Sequence, residues 1–291
     1  MMHKNNTKLI LLTALIFISN ISSAEKAPFE SSYEPLPSTN TIFRNANIYD
    51  GEGNEFSETD LLIKDGKIIA MGTDLPGSPE FIEVDASGKW ITPGIIDIHS
   101  HMGVYSAPSV SSSSDGNEST SPITADVWAE HSIWTQDPQF ALALKGGVTT
   151  FHVLPGSANL IGGRGVTAKN LQRNTINSMK FPNAPHTLKM ACGENPKRVY
   201  GNRKQAPSTR MGNIAGYRKA WIEAESYLSR LDEYESKSDE AKEIGYKPKR
   251  DLELETLAGV LRGEILVHNH CYRAGEMAMM IDVAKEFNYK I

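Results

Sequence analysis

Two pairs of histidines stand one residue apart, and each pair closes an apolar run. The first is His99 and His101 in GIIDIHSH; the second is His268 and His270 in EILVHNH. Residues two apart on a β-strand point to the same side. Each pair therefore aims two imidazoles in one direction from a strand end. Neutral imidazole is a common ligand for zinc and related metals, so each pair offers two ligands to one ion. Asp97, two residues before His99, faces the same way and is a candidate support for a ligating ring. Read more plainly, the first pair is two surface histidines, His268 is a core residue and only His270 reaches a cleft.

A carboxylate at a third strand end would complete such a site, and LKMACGEN offers two sources of oxygen. Glu194, past the strand at a Gly-Glu-Asn turn, is placed to bridge two cations. Lys189, within the strand, would supply similar oxygens if carboxylated. Glu194 is the first choice and Lys189 the rival. Arg164 and Arg273 are candidates for binding a substrate carboxylate. The glycine-rich stretch VLPGSANLIGGRG (Val153–Gly165) reads as a loop following a strand. No Gly-Lys-Ser/Thr closes it, so it is not a P-loop, and no GxGxxG opens a helix. PGSAN lacks the GxSxG elbow, and neither Cys192 nor Cys271 has an evident paired base. His152 reads as a core residue.

These side chains need strands that deliver them to one end. GIIDI has no polar alternation, as in a strand buried on both faces. DPQFALALKGG reads as a helix closed by glycine, VTTFHVL and TLKMAC as strands. Ile214, Tyr217, Trp221, Ala224, Leu228 and Leu231 recur at spacings of three and four, which predicts a long amphipathic helix. DLELETLAGVLRG and AGEMAMMIDVAKEF are further helices flanking the strand EILVHNH. This alternation favours an α/β architecture with a parallel sheet. SAPSVSSSSDGNESTSP (Ser106–Pro122) is of low complexity and reads as a mobile surface loop. Residues 41–90 carry short strand-like runs, with a two-residue hairpin signal at Asp65-Gly66, and read as a small antiparallel β module. A closed (β/α)₈ barrel needs about 250 residues. Fewer follow the β module, so the sheet is either open or part of a barrel.

The chain has 291 residues, 40% hydrophobic and 22% charged, with a formal net charge of −5. That is ordinary globular composition, and the acidic balance does not suggest nucleic acid as a partner. Residues 1–24 have a basic start, an apolar run and a small-residue end, the order of a signal peptide cleaved after Ala24. The apolar run is too short for an ordinary membrane span. Export, as to a bacterial periplasm, implies an oxidising compartment. Two cysteines cannot be a disulfide framework for a chain of this size, so the fold must rest on a core. Residues 25–40 read as a poorly ordered leader.

Taken in order, these pieces resemble the amidohydrolase superfamily, and within it the imidazolonepropionase-like group. NANIYDG with DLLIKDGKIIAMG resembles its N-terminal β module, and ITPGIIDIHSHMG its first barrel strand. ALALKGGVTTFHVLPGSANLIGG resembles its second strand and loop, and HCYRAGEM its fifth-strand histidine segment. The matches run over residues 41–288. The resemblance implies a TIM-like (β/α)₈ barrel, incomplete at about strands one to five, over residues 91–291. An N-terminal partial β-sandwich module would occupy 41–90. It implies His99, His101 and His270 as metal ligands with Glu194 as bridge, or a carboxylated Lys189 instead. One or two divalent cations are expected, zinc first, with manganese or iron as alternatives.

The expected reaction is hydrolysis of a carbon–nitrogen bond in a small-molecule amide, cyclic amide or dipeptide. No nucleic-acid partner is expected, and no membrane partner once the signal peptide is removed. The family also carries a strand-six histidine and a strand-eight aspartate that serves as general base. This sequence stops before both, so it reads as part of a longer protein and is expected to be inactive alone. The alternative is a non-catalytic barrel that binds a metal or ligand.

Overall fold

The hairpin signal at Asp65-Gly66 is where the first sheet turns. Both residues take positive φ, 51° and 73°, as a type I′ turn requires. They join β2 (Glu55–Lys64) to β3 (Lys67–Gly72). β1 (Thr41–Tyr49), β4 (Ile82–Asp85) and β5 (Trp90–Ile91) complete a sheet in the order β3-β2-β1-β4, with β5 also on β1. β4 and β5 lie parallel to β1, so the module is mixed rather than antiparallel. The reason is connection: the chain crosses from β3 to the free side of β1 instead of turning back beside it. Ala46, Ile48, Leu61 and Ala86 form its core.

The computed structural model describes residues 29–291. The signal-peptide reading over 1–24 lies outside the described residues. Ser31–Ile291 form one compact unit that contains both sheets. Within it the leader is attached rather than loose: Ser31 Oγ donates to the Lys180 carbonyl at 2.8 Å, and the Ser32 amide to the Asn177 carbonyl at 2.9 Å. No helix among the described residues is long and apolar enough to cross a membrane.

The second sheet holds β6 (Ile95–Ser100), β7 (Val148–Val153), β8 (Ile161–Lys169), β9 (His186–Ala191) and β10 (Ile265–His270), in the order β10-β9-β8-β7-β6. β6 and β7 are parallel, as are β9 and β10. β8 runs antiparallel to both its neighbours. The expected all-parallel sheet is therefore interrupted by one reversed strand, which takes in the last five residues of the glycine-rich stretch read as a loop. Glycine makes it fit: a Cβ on Gly163, at φ +109°, would stand 2.4 Å from the Val127 carbonyl oxygen.

β6 is also not buried on both faces. Among the described residues it ends the sheet with β7 as its one strand partner, and Ile98 is 69% exposed. The serine-rich segment is tied down. Tyr105 bridges Ser114, and Asn159 Nδ2 donates to the carbonyls of Glu118 and Ser121.

Among the described residues, α1 (Pro138–Lys145), α3 (Arg210–Glu235), α5 (Leu252–Leu261) and α6 (Ala274–Glu286) lie where helices are predicted, while α2 (Glu194–Asn202) and α4 (Asp239–Ile244) are additional, α2 beginning where a turn was expected. Asp137 caps α1, Thr209 caps α3 and Asp251 caps α5, each accepting from an early helical N–H. α3, α5 and α6 cover the outer face of β9 and β10. Leu188, Met190, Val267, Trp221, Leu257 and Met280 share that core, where each fully buried aliphatic side chain contributes about 1.5–3 kcal/mol. Lys189, between Leu188 and Met190, must then face the other way. His99 on β6 and Lys189 on β9 are three strands apart, roughly 14 Å across a flat sheet. Their side-chain nitrogens stand 3.4 Å apart. The sheet is curled into a half-barrel whose inner face brings them together.

The α5 end of this packing carries a charge conflict. Burial, then Asp126, Asp251 and Glu223, push the Glu253 carboxyl up to about 7. The folded chain holds a proton that unfolded glutamate, near pKa 4.3, has released. Stability from this residue therefore falls as pH rises from about 4.3 to 7. Glu253→Gln removes the conflict, so its thermal midpoint relative to the parent should rise between about pH 5 and pH 8. A difference that does not change across that range contradicts the assignment.

Candidate metal centre

His99 and His101 leave the end of β6 on one side, as their spacing requires, with ring centroids 5.2 Å apart. His101 is oriented by backbone. Its Nδ1 lies 2.8 Å from the Leu154 carbonyl oxygen. A carbonyl only accepts, so Nδ1 carries the hydrogen and Nε2 presents a lone pair. Asp97 does not hold a ring; its carboxylate accepts from the His99 backbone amide at 3.1 Å. Burial first, then Lys189 and the neighbouring imidazoles, push His99 down to about 4. At neutral pH its ring is uncharged and can ligate.

Lys189 lies at the centre of the group and is 1% exposed. Its Nζ donates to the Pro155 carbonyl at 3.0 Å and stands 3.4 Å from His99 Nε2. Burial lowers it to about 8. β10 brings the second histidine pair alongside. His268 is in register with Lys189 and His270 with Ala191, so both histidines are on the inner face. His268 stacks on His152 at 4.9 Å. His152 in turn is fixed by Thr167 Oγ1 at 2.9 Å and Thr187 Oγ1 at 2.8 Å. His270 Nε2 is buried and has no hydrogen-bond partner among the described residues. Tyr272 meets the same ring edge-on at 4.6 Å.

Other candidates fall elsewhere. Glu194 is exposed at the first residue of α2. Gly193, at φ +67°, turns the chain out of β9, and the carboxylate packed beneath that turn is Glu276, paired with Arg210. The order of preference between Glu194 and Lys189 is thus reversed by position. Arg164 pairs in register with Leu188 and so takes the outer face. Its Nε donates to Thr256 Oγ1 on α5 at 2.9 Å, and its guanidinium stacks on Trp128 at 4.3 Å. It braces the helix layer and does not face the histidines, which corrects its reading as a substrate ligand. Arg273 is exposed at the N-terminus of α6, three residues after His270.

Cys192 and Cys271, one following β9 and one following β10, form a disulfide. With the Cys192 amide donating to the His270 carbonyl at 2.7 Å, it pins the two strand ends together. Sequence reasoning missed the carbonyls of Leu154 and Pro155. The available signal was Pro-Gly directly after a buried strand, where the chain must turn and expose its acceptors.

Among the described residues no three His, Cys, Asp or Glu side chains close into a ready-made cation cage. The inner-face group is instead a ring of imidazoles around one lysine. Its donor chemistry fits a divalent transition metal: bare Nε2 on His101, orphaned Nε2 on His270 and uncharged His99.

No family model matches the chain. The amidohydrolase tasK of Hapsidospora irregularis is 35% identical over 276 residues, which cover 89% of this chain and 27% of that protein. The chain thus spans about a quarter of that relative's length. A dihydroorotase of Lactobacillus helveticus is 39% identical over 61 residues, 21% of this chain and 13% of that protein. The crystal structure of an amidohydrolase from Thermotoga maritima MSB8 superimposes with a TM-score of 0.78 at 36% identity. The match covers 86% of this chain and 63% of that one. Histidine pairs on a curled α/β sheet, together with these similarities in sequence and structure, lead to one conclusion: the chain belongs to the amidohydrolase superfamily.

Proposed function

We propose that the whole protein hydrolyses a carbon–nitrogen bond in a small amide, a cyclic amide or a dipeptide, using one or two divalent cations. Zinc is the first choice, with manganese or iron as alternatives. The observation that carries this reading is the orphaned, buried Nε2 of His270, on the same inner face as the oriented Nε2 of His101. Similarity to an amidohydrolase at 36% identity over most of the chain supports the reaction class. A cation held by His99, His101 and His270 would activate water near neutral pH and polarise the scissile carbonyl.

Lys189 is the better source of anionic oxygen than Glu194. At a pKa of about 8 a useful fraction of its amine is neutral. A neutral amine adds carbon dioxide to give a carbamate and a proton. The two resulting oxygens would stand beside His99. The Pro155 carbonyl holds the nitrogen in place, and His268, stacked on His152, lies in register beside it.

Metal analysis tests the ligand set in the full-length protein. His99→Ala and Lys189→Met should each lose most of the bound metal, and chelation of the parent should abolish amide hydrolysis that zinc then restores. Unchanged metal content in either variant contradicts its assignment. Stoichiometric metal with no hydrolysis of any amide would favour the non-catalytic barrel instead.

We also infer that the protein works outside the cytosol. The Cys192–Cys271 disulfide supports this, since such bonds persist in oxidising compartments. Thiol titration of denatured protein from an exporting host should find no free cysteine; two free thiols contradict the inference.

A further inference from the structure

A second polar pair stands beside the histidines, and one of its members, Asn117, comes from the segment read as a mobile loop. Tyr105 lies four residues beyond His101, and the two rings meet at nearly a right angle with centroids 5.8 Å apart. Its hydroxyl is hydrogen-bonded to Asn117 Nδ2. The direction of that bond is settled by Asn117's other atom. Asn117 Oδ1 accepts from the Ala158 backbone amide at 3.0 Å, a group that can only donate. The Asn117 NH₂ must therefore face Tyr105 and donate, and the Tyr105 oxygen accepts. A phenol that accepts still has its own hydrogen to give. Among the described residues it has no acceptor.

The pair occupies a slot lined by glycine. A Cβ on Gly156 would stand 2.3 Å from Asn117 Nδ2 and 2.7 Å from the Tyr105 hydroxyl; one on Gly116 would stand 2.2 Å from the Tyr105 ring. Gly156 directly follows Pro155, whose carbonyl holds Lys189, and its amide donates to the Gly116 carbonyl at 2.6 Å. The same turn thus positions the lysine and makes room for the phenol.

We propose that Tyr105, aimed by Asn117, is a specificity-determining residue. Its hydroxyl donates a hydrogen bond to a carbonyl or carboxylate oxygen of the molecule seated at the histidine group. This rests on the reading of that group as an amide-hydrolysing site, and it narrows the substrate to one presenting an acceptor oxygen beside the scissile bond.

Two variants separate this from a structural role. Tyr105→Phe keeps the ring against His101 and removes only the hydroxyl. Asn117→Asp keeps the hydroxyl but offers it an acceptor oxygen, so the phenol turns its hydrogen inward. Both are measured in the metal-loaded full-length protein with hydantoin and glycylglycine as probes, by calorimetric binding and by kcat/KM. Each variant should lose about tenfold or more in binding and in kcat/KM for at least one probe, with metal content and melting temperature close to the parent. Parity within about twofold between Tyr105→Phe and the parent in both readouts overturns the proposal. So does an Asn117→Asp variant that behaves like the parent. A parent that hydrolyses neither probe, yet binds one more tightly than Tyr105→Phe does, counts against hydrolysis of these two amides and leaves the hydrogen bond standing.

Discussion

Two consecutive backbone carbonyls, those of Leu154 and Pro155, hold the inner-face group in its working arrangement. The first fixes the tautomer of His101 and the second holds the amine of Lys189. Among the described residues neither side chain has another carbonyl anchor, and a carbonyl cannot reverse its role as acceptor. The turn is itself held on both sides. The Leu154 amide donates to the Ser100 carbonyl at 3.0 Å, which ties the end of β7 to the end of β6. Gly156 and Ala158 tie it to the serine-rich segment. Phe151 and Val153 root β7 in a core shared with Phe140. Buried apolar packing thus sets the position of two oxygens, and those oxygens set the chemistry.

The group they organise is unusual in its charge. Five imidazoles and a lysine share the inner face of the half-barrel, and burial lowers His99, His101, His152, His268, His270 and Lys189 alike. Burying a charged amine without a counter-ion costs several kcal/mol, so such a group tends toward its neutral form. Neutral nitrogens with free lone pairs are what a cation requires. Perturbed basic groups clustered in one concavity are typical of working sites rather than of structural cores. The disulfide between the ends of β9 and β10 adds a covalent limit on how far His270 can move from Lys189.

Much of this was legible in the sequence, for identifiable reasons. Period-two spacing put His99 with His101 and His268 with His270 on shared faces. Spacings of three and four found α3, because Tyr217, Trp221 and Ala224 lie buried along one stripe against the sheet. What was not legible depended on which face each residue takes. Glu194 and Lys189 are five residues apart, and the turn at Gly193 separates their directions. Arg164 was misread for the same reason: register with Leu188, which no local pattern encodes, puts it on the outer face. Glycine content hid β8, since a strand squeezed between close neighbours has the composition of a loop. Serine content hid the order of residues 106–122, because Asn117 and Asn159 hold that segment through backbone atoms. The family resemblance, by contrast, rested on the ITPGIIDIHSHMG segment and is shown by similarity over most of the chain.

A backbone carbonyl sets His101 to present Nε2, and ring nitrogen chemistry reads this directly. A long-range ¹H–¹⁵N correlation spectrum of the metal-free protein at neutral pH resolves which imidazole nitrogen carries the hydrogen. His101 should show a protonated Nδ1 and a bare Nε2. A protonated Nε2, or a ring averaging between the two tautomers, would contradict it.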